Sequence, residues 1–276
     1  MKMAVIGCGL IGGSMALSWK RAGIVDEVIA FGHNPATLQK ALDKGAADTV
    51  TTSMEEAVKD ADIVVSAVPV EAMESVFTEM APFLKSDAVV TDVGSTRQTV
   101  IAAARKGLGD KFHQYAPAHP IAGGEMPGVD YASADLFDEK VVISTPDEGM
   151  DPKVVTFIEE AWRKAGARVQ AMSPLQHDLT FASVSHLPHV LAYALVDMIA
   201  REENAQEKLK MAGAGFRDFT RIASSSPVMW RDICLSNREA LSHELKRYRA
   251  SLDTLQKYID ESDGKALESV FENAVR

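Results

Sequence analysis

From Met1 to about residue 172, short apolar runs rich in β-branched residues alternate with segments whose apolar positions recur every three or four residues. The runs "MAVIG" (3–7), "EVIAFG" (27–32), "DIVVSAV" (62–68), "AVVTDVG" (88–94), "QYAPAH" (114–119), "KVVISTP" (140–146) and "ARVQAM" (167–172) predict strands, because clusters of this kind suit a pleat that is covered by other elements. Between them, "PATLQKALDKG" and "EAMESVFTEMAPFL" carry the helical period. Strand and helix in turn predict parallel crossover units and a doubly wound, mostly parallel α/β sheet. After Met172 the pattern changes. "SPLQHDLTFASVSHLPHVLAYALVDMIARE" opens on a Ser-Pro helix start and continues as a long apolar stripe, and no strand pattern follows to Arg276. Two domains are expected, residues 1–172 and an all-helical 173–276, joined near Ser173 without a long linker.

Composition narrows the class. At 276 residues and 46% hydrophobic content, the chain is long enough to bury a core in each domain. Cys8 and Cys234 lie far apart and match no metal or redox spacing, so no disulfide framework is expected and a reducing, cytoplasmic setting fits. The opening Lys and apolar run imitate a leader peptide, but a small-residue cleavage site is lacking and the glycines fall at meaningful spacing. No uninterrupted apolar run approaches the roughly eighteen residues of a membrane span, so no membrane partner is expected. The net charge of −10, with no basic stripe, argues against a nucleic-acid partner.

The strongest local signal is "VIGCGLIGGS", in which Gly7, Gly9 and Gly12 spell G-x-G-x-x-G directly after an apolar strand and at the opening of a helix. In that context Gly7 permits the tight turn, Gly9 admits a diphosphate to the backbone, and Gly12 lets helix pack on strand. The helix start, with Leu10 and Ile11, is then the expected seat of a dinucleotide diphosphate. An acid would be expected at the end of the second strand to hold the ribose of NAD. The sequence there reads "AFGHNP", with Gly32, His33 and Asn34. Nothing in it repels a 2′-phosphate, which tilts the cofactor toward NADP and leaves NAD open. His33 and Asn34 can equally be the turn before Pro35.

Other strand ends point to the same crevice. Val68 and Pro69 follow one strand, and Asp92, Gly94, Ser95 and Thr96 follow the next. "HPIAGGEMPG" (119–128) then sets His119 and Glu125 in a loop too rich in Gly and Pro for helix or strand. A neutral imidazole, with a reference pKa of about 6.5, can accept a proton near neutral pH, which makes His119 the candidate base. Ser95 also suits the cap of the following helix. His186 and His189, three apart, share a helix face. With His177 they form a histidine set without the cysteines or the H-E-x-x-H spacing of a zinc site, so no metal is expected.

In chain order, "VIGCGLIGGS", "DVGSTR", "HPIAGGEMPG", "SHLPHVLAYAL" and "GAGFRDFTRIASSSPVMWRDI" resemble the prephenate and arogenate dehydrogenase family over nearly the whole chain. The resemblance implies a Rossmann-type domain followed by a helical dimerisation domain, a homodimer, and oxidative decarboxylation of prephenate to 4-hydroxyphenylpyruvate or of arogenate to tyrosine. It implies His119 as the group that draws the ring-hydroxyl proton and Ser95 as its orienting partner. Arg221 would clamp a substrate carboxylate, for which a planar guanidinium is suited, with Arg217 second to it. His186 and His189 would line the pocket, and Pro188 should kink the helix that carries them. Some members carry Thr where this chain has Gly124, which leaves Glu125 free to meet the ammonium of arogenate or a cation of the protein. Trp230 is expected to anchor the subunit interface. Two other readings compete. A β-hydroxyacid dehydrogenase or imine reductase shares the Rossmann start and helical tail but usually relies on a Lys, and none sits beside these loops. A non-catalytic dinucleotide sensor would bind the cofactor unchanged.

Overall fold

The computed structural model describes residues 1–124 and 126–275. Strand β1 (Lys2–Ile6) leads through the glycine turn into helix α1 (Leu10–Arg21), then β2 (Glu27–Phe31), α2 (Pro35–Asp43), β3 (Thr49–Thr51), α3 (Met54–Val58), β4 (Ile63–Ser66), α4 (Met73–Met80), β5 (Val89–Asp92), α5 (Gln98–Leu108) and β6 (Tyr115–Ala116). These six strands form one sheet in the order β3-β2-β1-β4-β5-β6, and every pairing is parallel. The order reverses between β1 and β4, which is where an open α/β sheet has its ligand crevice. Register brings the strand ends level: Ile6 lies beside Phe31 and Ser66, and Ser66 beside Asp92.

"QYAPAH" is not one strand. Pro117, which has no N–H for a ladder, separates β6 from β7 (Ala118–Pro120), and β7 pairs antiparallel with β8 (Val141–Ser144). After α6 (Pro152–Lys164), β9 (Arg168–Ala171) joins β8 in parallel, completing a second sheet of order β7-β8-β9. The chain changes sheet one residue before His119. The short β3, "TVT", gives too little periodicity to be read from sequence. Apolar layers cover the main sheet on both faces. One contains Met15, Trp19, Phe137 and Trp162; the other contains Met54, Met73, Phe77 and Tyr115.

From Ser173 onward the described residues are helical: α7 (Pro174–Phe181), a π-turn at Ala182–His186, α8 (Leu187–Ala200), α9 (Ala205–Lys210), α10 (Ala214–Thr220), α11 (Pro227–Ser236), α12 (Arg238–Asp260) and α13 (Gly264–Val275). Ser173 starts α7 by accepting from the Gln176 N–H, with Pro174 in the first turn. Pro188 falls in the first turn of α8, and the wide π-turn before it absorbs the irregularity that the proline was expected to cause. Pro174–Ala200 is long and apolar enough to cross a membrane, with mean hydropathy 1.4 and 22% of its most apolar window buried. Its polar residues His177, Asp178 and His186 are buried in protein contacts, as expected of a helix packed on a domain rather than immersed in lipid.

Candidate active site

The glycine turn has the shape its sequence implies. Gly7 has φ +93°, and a Cβ placed on it would lie 2.7 Å from the Ala67 carbonyl oxygen, so the loops after β1 and β4 touch at the point of reversal. A Cβ on Gly12 would lie 2.5 Å from the Gly7 carbonyl oxygen. Above Gly9 a Cβ would meet nothing within 4 Å, which leaves open space over the N-terminus of α1. No side chain caps that terminus and no acidic residue sits in its first turn, so Leu10, Ile11 and Gly12 can turn their N–H groups to an anion. These residues fit a dinucleotide diphosphate. Val68 packs against the same turn, 3.1 Å from the Cβ position of Gly7, and Pro69 is exposed beside it.

The loop after His119 returns to this turn, and a Cβ on Gly124 would lie 3.4 Å from Leu10 Cδ2. Gly13, not singled out from the sequence, explains how the following segment is seated. A Cβ there would lie 2.9 Å from Val129 Cγ2 and 3.1 Å from Ala132 Cβ, while Ser14 Oγ accepts from the Ser133 N–H. The double glycine lets residues 129–133 lie directly on α1.

His119 is half-buried at the start of the loop, with Nδ1 2.8 Å from His177 Nε2. His177 Nδ1 is 2.9 Å from Asp178 Oδ1, and the His177 ring stacks on Phe181 at 4.4 Å. Burial, with the nearby Arg97 guanidinium adding to it, holds the His119 imidazole well below its usual pKa, so it is neutral at physiological pH. Asp178 also accepts from the backbone N–H groups of Arg97 and Gln98 at 2.8 and 2.9 Å. That bond pair caps α5, so Ser95, half-buried in the preceding turn, is not its cap.

Asp92 is corrected. It is fully buried, accepts from Arg97 Nη2 at 2.6 Å, Tyr115 Oη at 2.6 Å and the Gly94 N–H at 2.7 Å, and has no surface to offer a cofactor. Arg97 in turn donates to the Ala118 carbonyl oxygen at 3.2 Å, which fixes the backbone next to His119. The sequence reading missed this function because a charged residue in "GSTR" looks like solvated surface until the second sheet buries it.

His33 is exposed and edge-on to Phe31, and Asn34 Oδ1 accepts from the Ala36 N–H at 2.9 Å, so the turn-forming role is real for Asn34. His186 is buried and accepts at Nδ1 from Asn237 Nδ2 at 3.1 Å; burial pushes its pKa down to about 4. His189 donates from Nδ1 to the Ser185 carbonyl oxygen at 2.9 Å, and its pKa is lowered by burial and by the charge of Arg221. Arg221 opens the turn after α10 and lies in reach of that ring, while Arg217 is exposed on α10 itself. Trp230 does not stand outward as an interface anchor. It is 8% exposed and stacks on His189 at 3.7 Å, because the Ser226 cap starts α11 with that side facing α8. Glu125 lies outside the described residues. Asp178 and Asn237, like Arg97 and Gly13, are not evident from the sequence; the pair "HD" after a capped helix start is the available signal for the first.

A dinucleotide-type glycine turn, touched by the loop that follows an oriented, neutral imidazole, fits the class of nucleotide-dependent oxidoreductases. Comparison with known proteins gives the family. Residues 15–171 match the model of the prephenate dehydrogenase nucleotide-binding domain, and residues 173–273 match that of the prephenate dehydrogenase dimerization domain. A cyclohexadienyl dehydrogenase of Zymomonas mobilis is 37% identical over 96% of this chain and 90% of its own. A Bacillus subtilis prephenate dehydrogenase is 34% identical over 97% of this chain and 72% of its own. The crystal structure of Aquifex aeolicus prephenate dehydrogenase with hydroxyphenyl propionate and NAD+ superposes with a TM-score of 0.92 at 35% identity, covering 100% of this chain and 96% of that one. The chain belongs to the prephenate dehydrogenase family, and it is an oxidoreductase with a dinucleotide-binding domain for NAD or NADP.

Proposed function

We propose that the protein oxidatively decarboxylates prephenate, arogenate or both, as a cytoplasmic homodimer with residues 1–172 binding the dinucleotide and residues 173–276 forming the substrate and dimerisation domain. The observation that carries the site assignment is the neutral imidazole of His119, half-buried, one loop from the glycine turn and hydrogen-bonded through its Nδ1. Gly7, Gly9, Leu10, Ile11 and Gly12 would hold the diphosphate, with Val68, Pro69, His33 and Asn34 along the rest of the dinucleotide. A bound oxidised dinucleotide would supply the hydride acceptor. His119 takes the proton of the ring hydroxyl as the C–H bond of the same carbon breaks, and loss of carbon dioxide then makes the ring aromatic. Ser95 orients the hydroxyl, and Arg221, with Arg217 four positions earlier, receives the side-chain carboxylate. His186, His189 and Gly124 line the ring's surroundings, and Glu125 is assigned to the amino or keto end of the substrate.

The test is absorbance of the reduced nicotinamide with prephenate and arogenate, each offered with NAD+ and with NADP+. Turnover in at least one combination supports the proposal and identifies substrate and cofactor together. Silence in all four from a folded, cofactor-binding protein overturns it.

A further inference from the structure

His119, His177 and Asp178 form a hydrogen-bonded row that crosses from the second sheet to the first helix after Ser173. A carboxylate can only accept, so the proton of the His177–Asp178 bond sits on His177 Nδ1. A neutral His177 then has a bare Nε2, which can only accept. The proton between the two rings therefore belongs to Nδ1 of His119, and the lone pair of His119 lies on Nε2. His177 stays neutral because it is fully enclosed; burial lowers its pKa and outweighs the bond to Asp178, with Arg97 adding to the effect.

Asp178 has little freedom to adopt another pattern. Its two oxygens accept three N–H groups: Arg97 N, Gln98 N and His177 Nδ1. The first two are orphan donors at the start of α5, a helix of the sheet domain, whereas Asp178 lies on α7. Asn237 Nδ2 donates to the Asp178 carbonyl oxygen at 2.8 Å, fixing the main chain. Phe181 stacks on His177 and also meets the His119 ring at 5.1 Å, which fixes both planes.

We propose that Asp178 is a positioning residue: seated on the N-terminus of α5, it sets through His177 which nitrogen of His119 is free. Docking of the helical domain onto the sheet domain thus makes the base. The proposal rests on the assignment of His119 above. A His119 protonated on Nε2 could donate a hydrogen bond to a ring hydroxyl but could not take its proton, so the row decides whether the imidazole works as a base.

The experiment is long-range 1H–15N correlation on the full-length protein labelled at histidine nitrogens, at neutral pH, with His119 and His177 assigned from the His119→Asn and His177→Phe variants. The expected result is the Nδ1–H tautomer at both residues. The Nε2–H tautomer at His119 in the unaltered protein overturns the proposal. His177→Phe keeps a ring on Phe181 but removes the acceptor. His119 in that variant should lose its single tautomer, and kcat should fall about 10²-fold or more while NAD+ affinity is unchanged. A His177→Phe enzyme with wild-type kcat and an unaltered His119 spectrum also overturns it. The tautomer readout needs no substrate, so the Nδ1–H pattern in a protein silent with both cyclohexadienols upholds the row while the substrate reading fails.

Discussion

In the sheet domain Met3, Trp19, Phe77, Phe137 and Trp162 are enclosed to within 1% of complete burial, whereas in the helices after Ala200 Met211 and Val275 are 88% exposed, Ile259 59% and Phe271 58%. Of the fourteen residues of α8, a helix apolar almost all round, only Ala192 is buried. The first region satisfies its hydrophobic residues within one chain. The second has apolar faces that a single copy leaves in water, which favours association, since contiguous exposed apolar surface is what interfaces use. That is the support for the proposed homodimer, and it agrees with the match to a dimerization-domain model. Where the two regions meet, buried and half-buried polar contacts join them: Thr96 with Ser236, α5 with Asp178, and His119 with His177. The seam is where the proposed base, His119, lies.

The sharpest way to break this contrast is at the seam. His119→Asn should lower kcat by roughly 10²–10⁴-fold with cofactor affinity near wild type; unchanged turnover in steady-state assays would move the base elsewhere. In the sheet core, Trp162→Ala removes a ring packed edge-on against Trp19 at 5.6 Å and Phe137 at 5.0 Å. Denaturant titration should show a loss of about 3–5 kcal/mol, and a loss below about 1 kcal/mol would mean that this core is not the self-sufficient one.

Acid should weaken the fold next. His186 has its folded pKa held at about 4, below the ordinary imidazole value. Above pH of roughly 6.5 neither folded nor unfolded protein binds that proton; between about 6.5 and 4 only the unfolded chain does, so stability falls as pH falls and levels off below. The single group contributes about 3 kcal/mol of loss. His119 and His177, also lowered chiefly by burial, act in the same direction. Thermal melts between pH 7.5 and 4.5, as approximate limits of that window, should show Tm falling less in His186→Gln than in wild type; equal slopes would deny that the buried imidazole is neutral. The smallest effect on folding is expected from Phe271→Asp on the exposed face of α13. It should change unfolding stability by less than about 0.5 kcal/mol yet shift sedimentation from dimer toward monomer, and an unaltered dimer would place the interface on another face.

How much of this was readable varies with the range of the interactions involved. The glycine turn was legible because its requirements are local: Gly7 needs a positive φ, and Gly12 a close neighbour within the same strand–turn–helix unit. His119 was legible as a candidate from its loop composition. The split of "QYAPAH" was not, although Pro117 was visible, because only the presence of β8 gives Ala118–Pro120 a second sheet to join. Asp92 was misread for a related reason. A carboxylate at a strand end looks like a ligand group until Arg97 and Tyr115 are found to enclose it. Trp230 looked like an anchor for another subunit and instead stacks on His189 in its own chain.

By itself the sequence determined the alternation of strands and helices, the diphosphate-type turn, the all-helical second half and a Gly- and Pro-rich loop carrying His119 as the candidate imidazole, since each follows from side-chain periodicity or from backbone freedom over a few residues. Only the tertiary structure decided which of its nitrogens is free. That depends on Asp178, 59 positions from His119, reaching the first turn of α5 through a fold that no local pattern encodes, where burial gives the hydrogen bonds of the row their directing strength.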